Sequence, residues 1–261
     1  MSAEIADLLG VYLRYCAASA LRYLAIAGPV YGVFYVWFRR RWMAHHIQQR
    51  LPGRDEVGYE LLWSASTMAC SGLTTVLLWE AVQRGWTPMY YDVAAYGWPW
   101  FVGSIVLGVV GYDAWFYWQH RLLHLPWWFR HVHWIHHRVT NPTPFANFAL
   151  HPVEALMGAA YFFLLGALVP LHPLALAAVS MYVFGWGMIA HLGFELYPKG
   201  FTRHPVLGWL NTATFHNMHH ERASGNYSSI LNYWDRVMRT IHPGYLAAFD
   251  AIKARLEPAE A

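Results

Sequence analysis

The chain has 261 residues, 57% of them hydrophobic and 18% aromatic, with only 13% charged. Soluble domains average roughly 25% charged residues, so this composition points to a membrane-embedded protein. A net charge of +3, without basic residues interleaved along a polar face, leaves no case for nucleic acid, and two cysteines are too few for a disulfide framework or a thiolate zinc site.

The start, MSAEIADLLG, places Glu4 and Asp7 ahead of the first apolar run. A secretory leader opens on basic residues, so none is expected here. The first apolar segment, 16–38, is followed at once by Arg39, Arg40 and Arg41. The second covers 61–82 and the third 98–118. At a rise of about 1.5 Å per residue, each is long enough to cross a hydrocarbon core of about 30 Å. A fourth region is a pair, 153–170 and 174–190, broken at Leu171-His172-Pro173. Its arms are short, which suits a thin spanning hairpin or a re-entrant one. Cys16 and Cys70 fall in apolar segments and read as small buried hydrophobes. No repeat, low-complexity stretch or linker divides the chain. The expected organisation is one membrane-embedded domain over 1–261, with N-terminal transmembrane helices in 1–112.

Arginine distribution predicts the orientation. Arg39, Arg40, Arg41, Arg50 and Arg54 lie between the first two segments, which places that loop in the cytoplasm. The stretch 83–97, with only Arg84, is then outside. The stretch 120–151, with Arg121, Arg130 and Arg138, is inside, as is the tail from Lys199 to Arg255. Arg22, near the outer end of the first segment, is expected to snorkel to the interface.

Eleven of the sixteen histidines lie in three pieces that this orientation brings to one side, 120–151, His191 and 216–220. HRLLHLPWWFRHVHWIHH, residues 120–137, holds six of them. His120 and His124 are one helical turn apart, on one face, as a metal pair needs. His133, His136 and His137 form an H-x-x-H-H box, and His216, His219 and His220 form a second. His191, at the inner end of the hairpin, and His151, at its start, are further candidate ligands. His45, His46, His131, His172, His204 and His242 read as ordinary interfacial or hydrogen-bonded residues. Asp113, two turns before His120, and Glu195, four after His191, are candidates for orienting a ligand imidazole. Asp235 is expected to close a turn with Arg236.

Eight or more imidazoles exceed what one tetrahedral ion can use, so two metals are expected. Imidazole suits iron, zinc, copper and nickel alike. Hydrolysis needs water and a polar substrate. Oxidation of an unactivated C–H bond at a lipid-facing mouth needs a metal that changes valence, which selects iron; zinc can take its place on purification. The fold class that follows is an all-α integral membrane helical bundle with a histidine-rich di-metal cap on the cytoplasmic side. A tunnel should open sideways toward lipid and end at the metals. Its expected lining is the aromatic residues near Trp115 to Trp134 and the small positions Gly158, Gly166, Gly185 and Gly187. The tryptophans Trp127, Trp128 and Trp134 also fit an interfacial belt. A divalent-metal transporter would hold its histidines near the midplane, and a haem-binding membrane subunit would pair them within two helices. Clustering at segment ends disfavours both.

The stretches DAWFYWQHRLLH, HWIHH, TPFANFALHPVE, HLGFELYP, FHNMHH and NYSSILNYWDRVMRT resemble, in this order, the fatty acid hydroxylase superfamily and its sterol desaturase branch. The resemblance covers about 113–240 and is closest to sterol C5-desaturases. Asn147-Phe148 and Ser228 depart from that subgroup's pattern. The resemblance implies a non-haem di-iron oxidoreductase, a monooxygenase or desaturase that uses O2 and outside electrons to hydroxylate or desaturate a lipid, with a sterol as the candidate. It carries over as metal ligands His120, His124, His133, His136, His137, His216, His219 and His220, with His191 and His151 less directly. His-Pro-Gly at 242–244 is similar to a cytochrome b5 haem signature, but the few residues after it leave no room for such a domain. With no Rossmann glycine motif or cysteine cluster, a separate donor is expected: cytochrome b5, or ferredoxin with its reductase. The implied location is the bacterial inner membrane or the endoplasmic reticulum.

Overall fold

A computed structural model describes residues 3–256. Seven principal helices follow one another: α1 Ala3–Tyr31, α2 Arg54–Gln83, α3 Gly97–Leu123, α4 Pro152–Leu168, α5 Pro173–Ala190, α6 Ala213–Arg222 and α7 Tyr245–Ala254. Among the described residues, extended pairing is limited to the isolated bridges His46–Phe194 and Leu210–Leu231. The all-α expectation holds.

Local chemistry sets the helix ends. Pro29 lies inside α1 and cannot donate to the preceding turn; the helix widens just beyond it into π-type turns over Gly32–Trp37. At the start of α2, the Gly53 amide donates to Glu56 Oε2 at 2.6 Å, and Asp55 and Glu56 suit the positive end of the helix dipole. Helices α4 and α5 begin alike, with a His-Pro pair. Proline occupies the first helical position, and the Nδ1 atoms of His151 and His172 accept the amides of Val153 and Leu174, each at 3.1 Å.

Four stretches are long and apolar enough to cross a membrane: Glu4–Trp37, Arg54–Gln83, Gly97–Leu123 and Pro173–Ala190; α4 is a shorter apolar helix. No more than 28% of the apolar window of any of the four is buried within the protein. Leu21, Leu62, Leu77, Val106 and Leu168 stand outward on α1 to α4. A water-facing belt of this kind would be costly, whereas lipid accepts it. Small residues bring the helices close. A Cβ on Gly72 would come within 2.9 Å of Tyr12 and Cys16, and one on Gly108 within 2.7 Å of Val179.

The segment 144–148 is tied beneath this bundle. Tyr23 and Ser64 both donate to the Phe145 carbonyl, at 2.9 and 3.0 Å, and Thr67 donates to that of Phe148 at 2.6 Å. The loops 39–53, 124–151 and 191–254 gather at one end. Gln48 bonds to the Thr140 carbonyl and to Asn217, His45 Nδ1 to the Glu195 carbonyl, and Arg255 to the His46 carbonyl. The loop after the first segment therefore shares its end of the bundle with the histidine boxes, as the arginine pattern predicts.

Candidate metal centre

Nine histidines converge in this end cap and divide into two groups. His120, His124, His133, His137 and His219 form one; His136, His191, His216 and His220 form the other. Within each group, one nitrogen per residue lies within 4.8 Å of all the others. Helix geometry explains the division. Residues four apart share a face, so 120/124, 133/137 and 216/220 each serve one group. The remaining member of each box, His136 or His219, points to the neighbouring group. Each group therefore draws on both boxes, with the His136 and His220 rings 4.5 Å apart in one and those of His137 and His219 4.6 Å apart in the other.

Hydrogen bonds behind the rings assign the tautomers. Nδ1 of His120 bonds to the Tyr227 carbonyl at 2.7 Å, and Nδ1 of His219 to that of Gly225 at 2.7 Å. His220 and His191 do the same with the Val139 and Gly187 carbonyls, at 2.7 and 2.8 Å, and His136 with that of Ala149 at 3.3 Å. A carbonyl can only accept, so each Nδ1 carries the hydrogen and each Nε2 keeps a bare lone pair. Nδ1 of His133 is fixed the same way by the Glu154 carboxylate at 2.9 Å. These lone pairs face each other: His120 and His133 Nε2 are 3.0 Å apart, and His191 and His220 Nε2 3.3 Å. With no proton between them they repel. A cation about 2.0–2.1 Å from each converts that repulsion into coordination, and ligands at right angles around it stand roughly 3 Å apart. His137 adds a second sign, since both of its ring nitrogens are buried without a partner.

Burial and neighbouring imidazoles keep the set uncharged. Burial, then its histidine neighbours, pushes His191 down to about 3 and His124 to about 2, while burial against one backbone hydrogen bond leaves His136 at about 4. His133, His137, His216, His219 and His220 lie well below the ordinary histidine value for the same leading reason. Neutral imidazole is the form that binds a metal. The residues present therefore fit two ions held by nitrogen.

The structure places the other candidate site residues outside the two groups. His151 belongs to neither group; it caps α4 and stacks on Trp63 with ring centroids 6.4 Å apart. Asp113 does not touch an imidazole, because its Oδ1 is taken by the amides of Ile230 and Leu231, at 2.8 and 3.2 Å. Glu195 is spent on the start of α6, accepting the Thr214 amide at 3.0 Å and hydroxyl at 2.7 Å. Asp235 does close a turn, but through the amides of Tyr227 and Ser228 and the Thr240 hydroxyl rather than Arg236. The carboxylate that orients an imidazole is Glu154. Its available signal was an acid inside an otherwise apolar helix, which is costly without a partner.

A cavity of about 450 Å³ leads away from the centre. His120, His133, His136, His191 and His216 form one end of its wall, and Tyr112, Phe116, Phe162, Leu176 and Leu78 carry it into the bundle. Gly158 and Gly187 line it as expected; Gly166 does not, and meets Leu78, which does. Gly185 is not in the lining. Trp127 and Trp134 are 61% and 52% exposed and fit the interfacial belt.

The chain is thus an apolar helical bundle that carries a buried double histidine cluster at one end. The chain matches the fatty acid hydroxylase family model over residues 105–240, more than half its length, and belongs to that family. It is 27% identical over 186 residues to lathosterol oxidase of Rattus norvegicus, covering 70% of this chain and 60% of that protein. It is 28% identical over 205 residues to a Delta(7)-sterol 5(6)-desaturase of Gibberella zeae, covering 77% of this chain and 61% of the relative. A Delta(7)-sterol 5(6)-desaturase of Leptosphaeria maculans is 33% identical over 125 residues, covering 48% of this chain and 33% of that one. The chain thus spans about 60% of the length of the first two relatives. No solved structure matches it.

Proposed function

We propose that this protein is a membrane-bound, O2-dependent oxidoreductase that hydroxylates or desaturates a C–H bond of a lipid, with a sterol as one candidate substrate. The observation that carries the reading is the cavity whose wall is mostly apolar and whose end is built from imidazole lone pairs. His120, His124, His133, His137 and His219 would hold one iron ion, and His136, His191, His216 and His220 the other. Bound iron supplies O2 activation and the one-electron steps of C–H oxidation. The chain's own contribution is position and exclusion. Backbone carbonyls and Glu154 fix the ring orientations, and the apolar cavity holds the lipid against the centre while keeping bulk water out. No side chain is needed as a general base.

The electrons are assigned to a separate donor, cytochrome b5 or ferredoxin with its reductase. The arginine distribution supports a cytoplasmic position for the centre, in a bacterial inner membrane or the endoplasmic reticulum. The transporter reading loses ground because the histidines cluster at one end of the bundle. Facing nitrogens 3.0–3.3 Å apart leave no space for a porphyrin between them.

The test is oxidation of membrane lipids by purified protein given iron, reductant and ¹⁸O2. A product with one oxygen from O2, or with one new double bond formed only in the presence of O2, is expected. Turnover under strict anaerobiosis, or product oxygen drawn from water alone, would refute the reading.

A further inference from the structure

Arg22 stands inside the membrane-spanning stretch Glu4–Trp37 and lines the cavity. Snorkelling to the interface was the expectation; its contacts lie sideways instead. Nη1 reaches only the Met181 sulfur, at 4.0 Å, and the guanidinium lies 5.6 Å from the centre of the Phe184 ring. Its Nε is buried with no hydrogen-bond partner. Among the described residues, Arg22 makes no ion pair; Glu154, also in the cavity wall, is committed to His133. A cation at this depth is expensive, and such residues mark substrate paths when no protein group neutralises them. The same cavity carries further polar groups in its wall, among them Ser71 and Thr74 on α2 and Ser180 on α5.

We propose that Arg22 is the head-group anchor of the substrate. The lipid carries a hydrogen-bond-accepting oxygen that seats on the guanidinium, and its apolar body runs along the cavity to the histidines. This rests on the lipid-oxidation reading. It also gives a ruler. Arg22 meets α5 at Met181 and Phe184, and His191 ends the same helix. At about 1.5 Å per residue, the anchor lies roughly 10–15 Å from the centre. The oxidised carbon is therefore remote from the oxygen. A straight acyl chain would be oxidised toward its middle, and a sterol held by its ring-A oxygen would present its far rings and side chain rather than the bonds beside that oxygen.

Binding tests the anchor without turnover. The full chain in nanodiscs is given two pairs of tritiated probes: palmitate against hexadecane, and lathosterol against the same ring system lacking the hydroxyl. The wild type is expected to prefer at least one headed probe over its hydrocarbon by roughly tenfold to a hundredfold, the range for a hydrogen bond to a charged group. The arm that shows the preference tells carboxylate from hydroxyl. Arg22→Met should reduce it to within about twofold while leaving hydrocarbon binding, metal content and thermal midpoint unchanged or raised. Arg22→Lys should keep part of it. A merely structural arginine would lower the midpoint and leave the preference intact. Absence of any head preference in the wild type, or its survival in Arg22→Met, overturns the anchor. A product oxidised within three bonds of the head oxygen overturns the ruler. An Arg22-dependent preference in a protein that oxidises no lipid would refute the oxidase reading and leave the anchor standing.

Discussion

Removing the carboxylate of Glu154 should weaken one metal site and spare the other. Its Oε2 accepts from His133 Nδ1 at 2.9 Å, and the two side chains are only 7% and 1% exposed. Burial alone disfavours the ionised form of Glu154, and a cation on His133 would restore it; a hydrogen bond to that charged group is then worth about 1.5–3 kcal/mol, and such a partner raises the basicity of the ring's other nitrogen. At about 1.4 kcal/mol per factor of ten, Glu154→Ala should lower iron affinity in the five-histidine group by roughly tenfold to a hundredfold. Glu154→Gln keeps an acceptor but not the charge, so its loss should lie near the lower end. The four-histidine group has no such carboxylate and should hold iron as before. Chelator competition, followed by the iron retained per chain, resolves the two sites. His151→Ala is the control. It removes the cap three residues away, costs about 1 kcal/mol of stability, and should cost no metal. Wild-type affinity in Glu154→Ala, or equal loss at both sites, would refute the assignment of Glu154 to His133.

The two groups should also come apart by single substitutions: His124→Ala and His136→Ala should each bring iron from two equivalents toward one, whereas His45→Ala should leave both, as metal analysis will show. Gly158 lines the cavity and a Cβ there would meet nothing within 4 Å, so Gly158→Leu should fold, keep its metal and lose most lipid turnover; Gly185→Leu, outside the lining, should not. His46 is fully buried, and burial first, with Arg255 and Arg50 adding, pushes it down to about 4 from an ordinary value near 6.5. Between those values the unfolded chain binds more protons than the folded one, so stability is full above pH 6.5 and falls as the pH drops toward 4. The wild type should lose up to about 3 kcal/mol across this window relative to His46→Leu, read as a widening gap in thermal midpoints.

What the sequence made legible is what helical periodicity carries. Three apolar stretches of spanning length, a pair of shorter ones and two H-x-x-H-H boxes follow from local spacing alone; the structure adds Pro173–Ala190 as a fourth stretch of spanning length and places nine of the ten candidate histidines in two adjoining groups. The tenth, His151, was misread for a local reason: before proline, a histidine can cap the helix, and His172 does the same at α5. Glu154 was missed because its partner, His133, lies on another element, and a single acid in an apolar run has no periodicity to expose it. Arg22 illustrates the same blindness. Depth in a span can be read from sequence, but the side on which a cavity opens depends on how α1 packs against its neighbours. The division of each box between two groups was also hidden, since it needs the arrangement of three elements at once.

Asp113 acts through the backbone rather than on an imidazole. It was expected to orient an imidazole directly, and it instead holds the amides of Ile230 and Leu231. Asp235 holds those of Tyr227 and Ser228, at 3.0 and 2.7 Å. Between them the two carboxylates fix the backbone of 227–231, and the Tyr227 carbonyl then receives Nδ1 of His120. The preceding turn is strained: Ala223, Gly225 and Asn226 all have positive φ, at 52°, 68° and 55°. For a residue with a Cβ such a conformation costs of order 1–3 kcal/mol. Asn226 offsets part of this by donating to the Phe215 carbonyl at 2.9 Å and accepting the His242 amide at 2.7 Å. The strained turn delivers the Gly225 carbonyl to His219. The stretch SGNYSSILNYWDR, which carries no metal ligand, thus acts through main-chain oxygens. It aims two of the five imidazoles in the first group, and its side chains matter because they hold those oxygens still.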